Sequence, residues 1–171
     1  MQIGVVGLGL IGGSLARAVK KYTGHTVCGV DRDKSVLAAA YAAGAIDCDT
    51  DVSGCALVFV CLYPRDCVSY MLHTDFKKGA VVADISGVKR FIAQEVAVPL
   101  LERGVRYVGT HPMAGKETNG FVSSDADLFR GASFIITEDE TTDADAVRLL
   151  TVLAEELGFA RVTKCSAKKH D

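Results

Sequence analysis

Residues 2–13 read QIGVVGLGLIGG, an almost wholly apolar run that stops at Gly7 and carries further glycines at 9 and 12. An apolar run without polar alternation predicts a strand buried on both faces, here Gln2 to Leu8. Ile11 to Lys21 predicts a helix, with Ile11, Leu15, Ala18 and Val19 at helical spacing. Each glycine between them then has a reason. Gly7 allows a tight turn, Gly9 lets phosphate approach the backbone, and Gly12 lets the helix pack close on the strand. The G-x-G-x-x-G pattern alone is common. Here it joins a strand to a helix, and an acidic residue, Asp31, follows nineteen positions after Gly12. That is the context a dinucleotide site requires.

The rest of the chain keeps alternating. Strands are expected at Thr26 to Val30, Leu57 to Leu62, Ala80 to Ile85, Val105 to Val108, Ser133 to Thr137 and Ala160 to Thr163. Helices are expected at Lys34 to Ala43, stopped by Gly44, at Arg90 to Leu101, and at Asp143 to Leu157, capped by Gly158. Leu57 to Leu62 is too continuously apolar for a half-exposed strand and belongs in the middle of the sheet. This order predicts an α/β fold with a doubly wound, mainly parallel sheet of the Rossmann type.

Such sheets bind ligands at the carboxyl ends of their strands. The cofactor groove should therefore gather Gly7, Gly9, Gly12, Leu10 and Ile11 at the helix N-terminus, together with Asp31 and Arg32. The next strand-end adds Leu62, Tyr63 and Pro64. Free N–H groups and the positive dipole end would face the pyrophosphate. A carboxylate at Asp31 can accept both ribose hydroxyls and repels a 2′-phosphate, which favours NAD over NADP. Arg32 can stack on adenine or help hold a phosphate. Pro64 can line the groove, start a helix at its first position, or do both.

Composition narrows the function classes. Net charge is −2 and no basic block exceeds two residues, so a nucleic-acid footprint is not expected. No apolar run approaches a membrane span, and no leader pattern opens the chain, which reads as a soluble cytoplasmic protein. The six cysteines form no C-x-x-C and no ligand spacing with histidine, so no metal is expected and they read as reduced and structural.

Hydride transfer from a carbon bearing a hydroxyl needs a base for the hydroxyl proton. Of four histidines, His25 lies in a polar turn, His73 in a polar helix end and His170 at the chain terminus. His111, in GTHPMAGKETNG, is expected on a strand-end loop at the cofactor rim, where an imidazole suits the task. The alternative is a histidine that merely bonds loop backbone.

GLGLIGGSLA at the start, the D-x-x-x-V-K segment from Asp84 to Lys89, HPMAGKE-x-x-G and the LF-x-G-A run from Leu128 to Ala132 resemble the prephenate and arogenate dehydrogenases of tyrosine biosynthesis. The resemblance runs along essentially the whole chain, to the SAKKHD ending. It implies oxidative decarboxylation of prephenate to 4-hydroxyphenylpyruvate, with NAD as acceptor. It implies that His111 is the catalytic histidine and that Glu117 helps organise the mouth of the site. Family members often carry Gly-Ser-Val-Lys where this chain has Ser86-Gly87-Val88-Lys89. The serine expected against histidine and nicotinamide is thus Gly87 here, and Ser86 one place earlier is the candidate to replace it.

The resemblance also implies a helical, dimer-forming domain that supplies another histidine and a substrate-binding arginine. On that reading residues 1–165 are the dinucleotide-binding domain, and residues 166–171 begin a helical domain that this chain lacks. Two alternatives stay open beside prephenate: arogenate as substrate, and an NAD-binding regulatory module without chemistry. A β-hydroxy acid dehydrogenase would need a lysine on a later long helix, a region not present.

Overall fold

The computed structural model describes residues 1–171. Seven strands form one sheet in the order β2-β1-β3-β4-β5-β6-β7. They are β1 (Gln2–Val6), β2 (Thr26–Val30), β3 (Leu57–Val60), β4 (Val81–Asp84), β5 (Arg106–Met113), β6 (Ser133–Thr137) and β7 (Arg161–Cys165). The long helices are α1 (Leu10–Tyr22), α2 (Lys34–Ala42), α3 (Pro64–His73), α4 (Arg90–Glu102) and α5 (Ala144–Glu156), and a last turn forms α6 (Ala167–His170). The expected α/β architecture, doubly wound and mainly parallel, is what the chain adopts.

Alternation along the strands sorts side chains to two faces. Ile3, Val5, Leu57, Phe59, Val81 and Ala83 enter one core with α1 and α5. Val58, Val60 and Val82 enter the other, with Cys67 and Met71 of α3 and Ile92, Val96 and Leu100 of α4. β3 is buried throughout, between β1 and β4, as its unbroken apolar run predicts. Pro64 does occupy the start of α3.

The main correction concerns β5. A strand ending at Val108 was expected, with His111 on the loop beyond. The strand instead continues to Met113, and His111 lies within it, opposite Ile135. The parallel ladder with β4 stops at Asp84–Gly109, but β6 runs antiparallel and pairs β5 from Gly109 to Met113. A new partner takes over the backbone groups that would otherwise have ended the strand.

No cysteine is paired. Burial pushes the Cys28 and Cys55 thiols up, to about 11 and about 12, so neither is a thiolate near neutrality. No helix is long and apolar enough to cross a membrane.

Candidate active site

β1 feeds α1 toward β2 on one side, whereas α2 carries the chain back across to β3 on the other, so the winding reverses between β1 and β3. The main groove, of about 810 Å³, opens there. Gly7, Gly9, Leu10, Ile11, Gly12, Asp31, Arg32, Leu62, Tyr63, Pro64, Ser86 and Gly87 all line it. Every one comes from the carboxyl end of a parallel strand or the helix start that follows, where open α/β sheets hold ligands.

The glycines divide as the turn demands. Gly7 has φ +85°, and a Cβ there would meet the Cys61 carbonyl oxygen at 2.4 Å. A Cβ on Gly12 would lie 1.8 Å from the Gly7 oxygen, so no side chain fits between turn and helix. Around Gly9 a Cβ meets nothing within 4 Å, so that point is open for a ligand. No side chain caps the α1 N-terminus, whose first N–H groups remain available to an anion. Asp31 is anchored, its carboxylate accepting from the Leu8 N–H at 2.8 Å and the Asp33 N–H at 2.9 Å.

At the far end of the groove the wall is Ile85 to Val88. It rests on a buried ion pair. Asp84 and Lys89 have fully buried side chains and are bonded to each other. Asp84 also accepts from the Ser86 N–H at 3.0 Å and the Tyr107 hydroxyl at 2.8 Å. The Lys89 ammonium donates to the Thr110 carbonyl at 2.6 Å, and the Thr110 hydroxyl returns a bond to the Asp84 carbonyl at 2.7 Å. The D-x-x-x-V-K segment is thus a clamp fixing the groove wall to the stretch of β5 that carries His111.

His111 stands directly behind that wall. A Cβ on Gly87 would lie 3.6 Å from its Cε1 and 3.7 Å from its Nε2. Burial draws the His111 imidazole below its ordinary pKa, helped by the charges of Lys89 and His170 and opposed by Asp84. Its neutral form is therefore favoured. Ser86 is buried, and its hydroxyl oxygen has no hydrogen-bond partner. Glu117 is not brought to the groove wall. It is exposed on the turn after β5, and Asn119 of that turn lines the groove. Gly109 is small for a packing reason, since a Cβ there would meet the Thr137 hydroxyl oxygen at 2.3 Å.

A family profile described as "Prephenate dehydrogenase, nucleotide-binding domain" matches residues 15–164. The chain belongs to that family. The chain is 31% identical to the prephenate dehydrogenase of Bacillus subtilis strain 168, over 98% of this chain and 47% of the relative. Among solved structures, Synechocystis arogenate dehydrogenase superposes with a TM-score of 0.89 at 30% identity. Prephenate dehydrogenase from A. aeolicus, in complex with hydroxyphenyl propionate and NAD+, superposes with a TM-score of 0.89 at 25% identity. Each covers 99% of this chain and 61% of the solved one. The domain therefore spans about half to three fifths of the proteins it resembles.

Two residues at the site were passed over in the sequence. His170 and Asp171 fold back against His111, with the His170 Nε2 at 2.9 Å from the His111 Nδ1. The Ser166 hydroxyl caps the turn that brings them there, accepting from the Lys169 N–H at 3.1 Å. Ser-x-x-x before a His-Asp pair was the available signal, but a contact across 59 residues has no local signature.

Proposed function

We propose that this domain is the cofactor-binding, base-carrying part of an NAD-dependent prephenate dehydrogenase. The observation that carries the reading is the placement of His111, a half-buried neutral imidazole whose Nε2 edge abuts Gly87 in the wall of a dinucleotide groove. NAD fits the residues present, with Gly9 and the uncapped α1 toward the pyrophosphate and Asp31 toward the ribose hydroxyls. Bound there, NAD+ supplies the hydride acceptor.

The chain's own residues do the rest. His111 accepts the ring hydroxyl proton as hydride leaves the same carbon, and returns it to the oxygen once the ring carboxylate has departed as CO2. Ser86, whose buried hydroxyl lacks a partner, would offer it to the ligand, because such a group costs about 1–3 kcal/mol if left unpaired. It would thereby cover the position where Gly87 has no side chain. Glu117, on the turn beside Asn119, would stand at the mouth. Residues 166–171 would lead from this domain, residues 1–165, toward the helical region that completes the substrate site and forms the dimer in the family.

The test is NADH absorbance when the chain, at high concentration, meets NAD+ with prephenate and separately with arogenate. NADH from prephenate alone is expected; none from either, with NAD+ bound, would leave a nucleotide-binding module without chemistry. For the cofactor, Asp31→Ser is expected to weaken NAD+ and strengthen NADP+, each by roughly ten-fold, the effect of about 1.4 kcal/mol. Calorimetry on the two dinucleotides decides it, and an unchanged ratio would remove Asp31 from the ribose site.

A further inference from the structure

The contacts of the terminal turn carry a proton-handling role for two residues outside the groove. Asp171 accepts from the Lys89 N–H at 2.9 Å and the Arg90 N–H at 3.0 Å, at the start of α4. Its third bond, at 2.8 Å, is to the Nδ1 of His170, whose side chain is 6% exposed. Burial would raise the Asp171 carboxyl, but the bonds from His170 and the two N–H groups outweigh it and hold the pKa at about 2. A carboxylate can only accept. The His170 Nδ1 must therefore carry a hydrogen, which leaves the Nε2 of neutral His170 as an acceptor. That nitrogen faces the His111 Nδ1, so the hydrogen between them belongs to His111. The remaining nitrogen of His111, Nε2, is then bare, and it is the one on the groove side, beside Gly87.

We propose that Asp171 and His170 are positioning residues that hold His111 in the Nδ1–H tautomer and take over the charge when its Nε2 gains a proton. As Nε2 binds a proton, the Nδ1 hydrogen of His111 crosses 2.9 Å to the His170 Nε2. His111 ends neutral in the opposite tautomer, and His170 ends as an imidazolium paired with the Asp171 carboxylate. No proton is created or lost. The arrangement suits a site where Lys89 already places a positive charge near His111, because the new charge moves outward to Asp171 instead of adding to it. The charged groups around the pair are Lys89, Asp84 and Asp171. The inference deepens the assignment of His111 as base, yet its test needs no turnover.

Imidazole nitrogen NMR on the chain with labelled histidine reads both tautomers directly. At a pH where all rings are neutral, His111 is expected as the single Nδ1–H form and His170 as the Nδ1–H form. On acidification, His170 should become an imidazolium while His111 stays neutral and switches to Nε2–H, in one coupled step. His170→Leu should abolish the single tautomer, and both forms of His111 should appear. His170→Gln should restore Nδ1–H, because its carbonyl oxygen accepts, but not the coupled switch, because an amide takes no proton. The proposal fails if His111 carries Nε2–H in the neutral wild type, if His170→Leu leaves its tautomer unchanged, or if His111 itself becomes the first imidazolium. A chain that makes no NADH can still show the switch, and one that makes it can lack it, so the two readings fall separately.

Discussion

Lys89→Met should cost this fold about 3–5 kcal/mol, the usual loss when one member of a buried ion pair is removed. The side chain of Lys89 is fully buried and its ammonium serves two acceptors, Asp84 and the Thr110 carbonyl. Methionine roughly keeps the volume and removes the charge, so packing loss contributes little. What remains is a buried Asp84 carboxylate held by only the Ser86 N–H and the Tyr107 hydroxyl, and a Thr110 carbonyl without its donor. Asp84→Asn added to Lys89→Met should recover part of the loss, since no unpaired charge is then buried. The denaturant midpoint, with its slope unchanged, measures both. A loss near that of an exposed pair, below about 1 kcal/mol, would mean that water reaches the pair and that it does not clamp the groove wall.

That lysine also illustrates what a sequence conceals. Among 19 lysines and arginines, Lys89 is marked in the sequence only by the D-x-x-x-V-K segment, which does not reveal its burial, and only the fold brings Tyr107 and Thr110 around the Asp84–Lys89 pair. Elements whose ends are written in local chemistry were legible. Thr26–Val30 and Ser133–Thr137 begin and end where expected, and Gly44 and Gly158 take the positive φ that stops their helices. The groove was legible for the same reason, because a G-x-G-x-x-G turn, a strand-end Asp and a Pro-started helix each announce themselves within a few residues.

Features decided by a distant partner were not legible. β5 runs past Val108 because β6 pairs with it, and Gly109 is small because Thr137 lies against it. His170 was set aside as a chain end although its partner is the very histidine singled out as the base. His111 was singled out from its chemistry, and the structure brings it beside the groove wall on a strand instead of the expected loop. The strand has a physical advantage over a loop: a ladder on β6 fixes the imidazole at a set distance from Gly87, which a catalytic group requires.

His111→Asn should lower kcat by about 10²–10⁴-fold, the usual contribution of a positioned acid–base group, while NAD+ affinity stays within about two-fold. The two effects separate because His111 lies behind Gly87 and is not among the residues lining the nucleotide groove. Asparagine can still bond His170, so the terminal turn should stay docked. The wild-type rate should depend on pH with a definite sign. Burial, then the charges of Lys89 and His170, hold His111 below its ordinary value of 6.5, so the reactive base is already present at neutrality. kcat/KM should therefore sit on a plateau above pH 6.5 and fall on acidification as the His111 Nε2 gains a proton and is lost as an acceptor. Stability should move the same way. The unfolded chain binds the proton more readily than the folded one, so the contribution is complete above 6.5 and is lost as pH falls through the folded-state value. In His111→Asn both acid limbs should flatten. An undiminished rate in that variant, or a rate that rises as the wild type is acidified through this range, would mean that another group takes the hydroxyl proton.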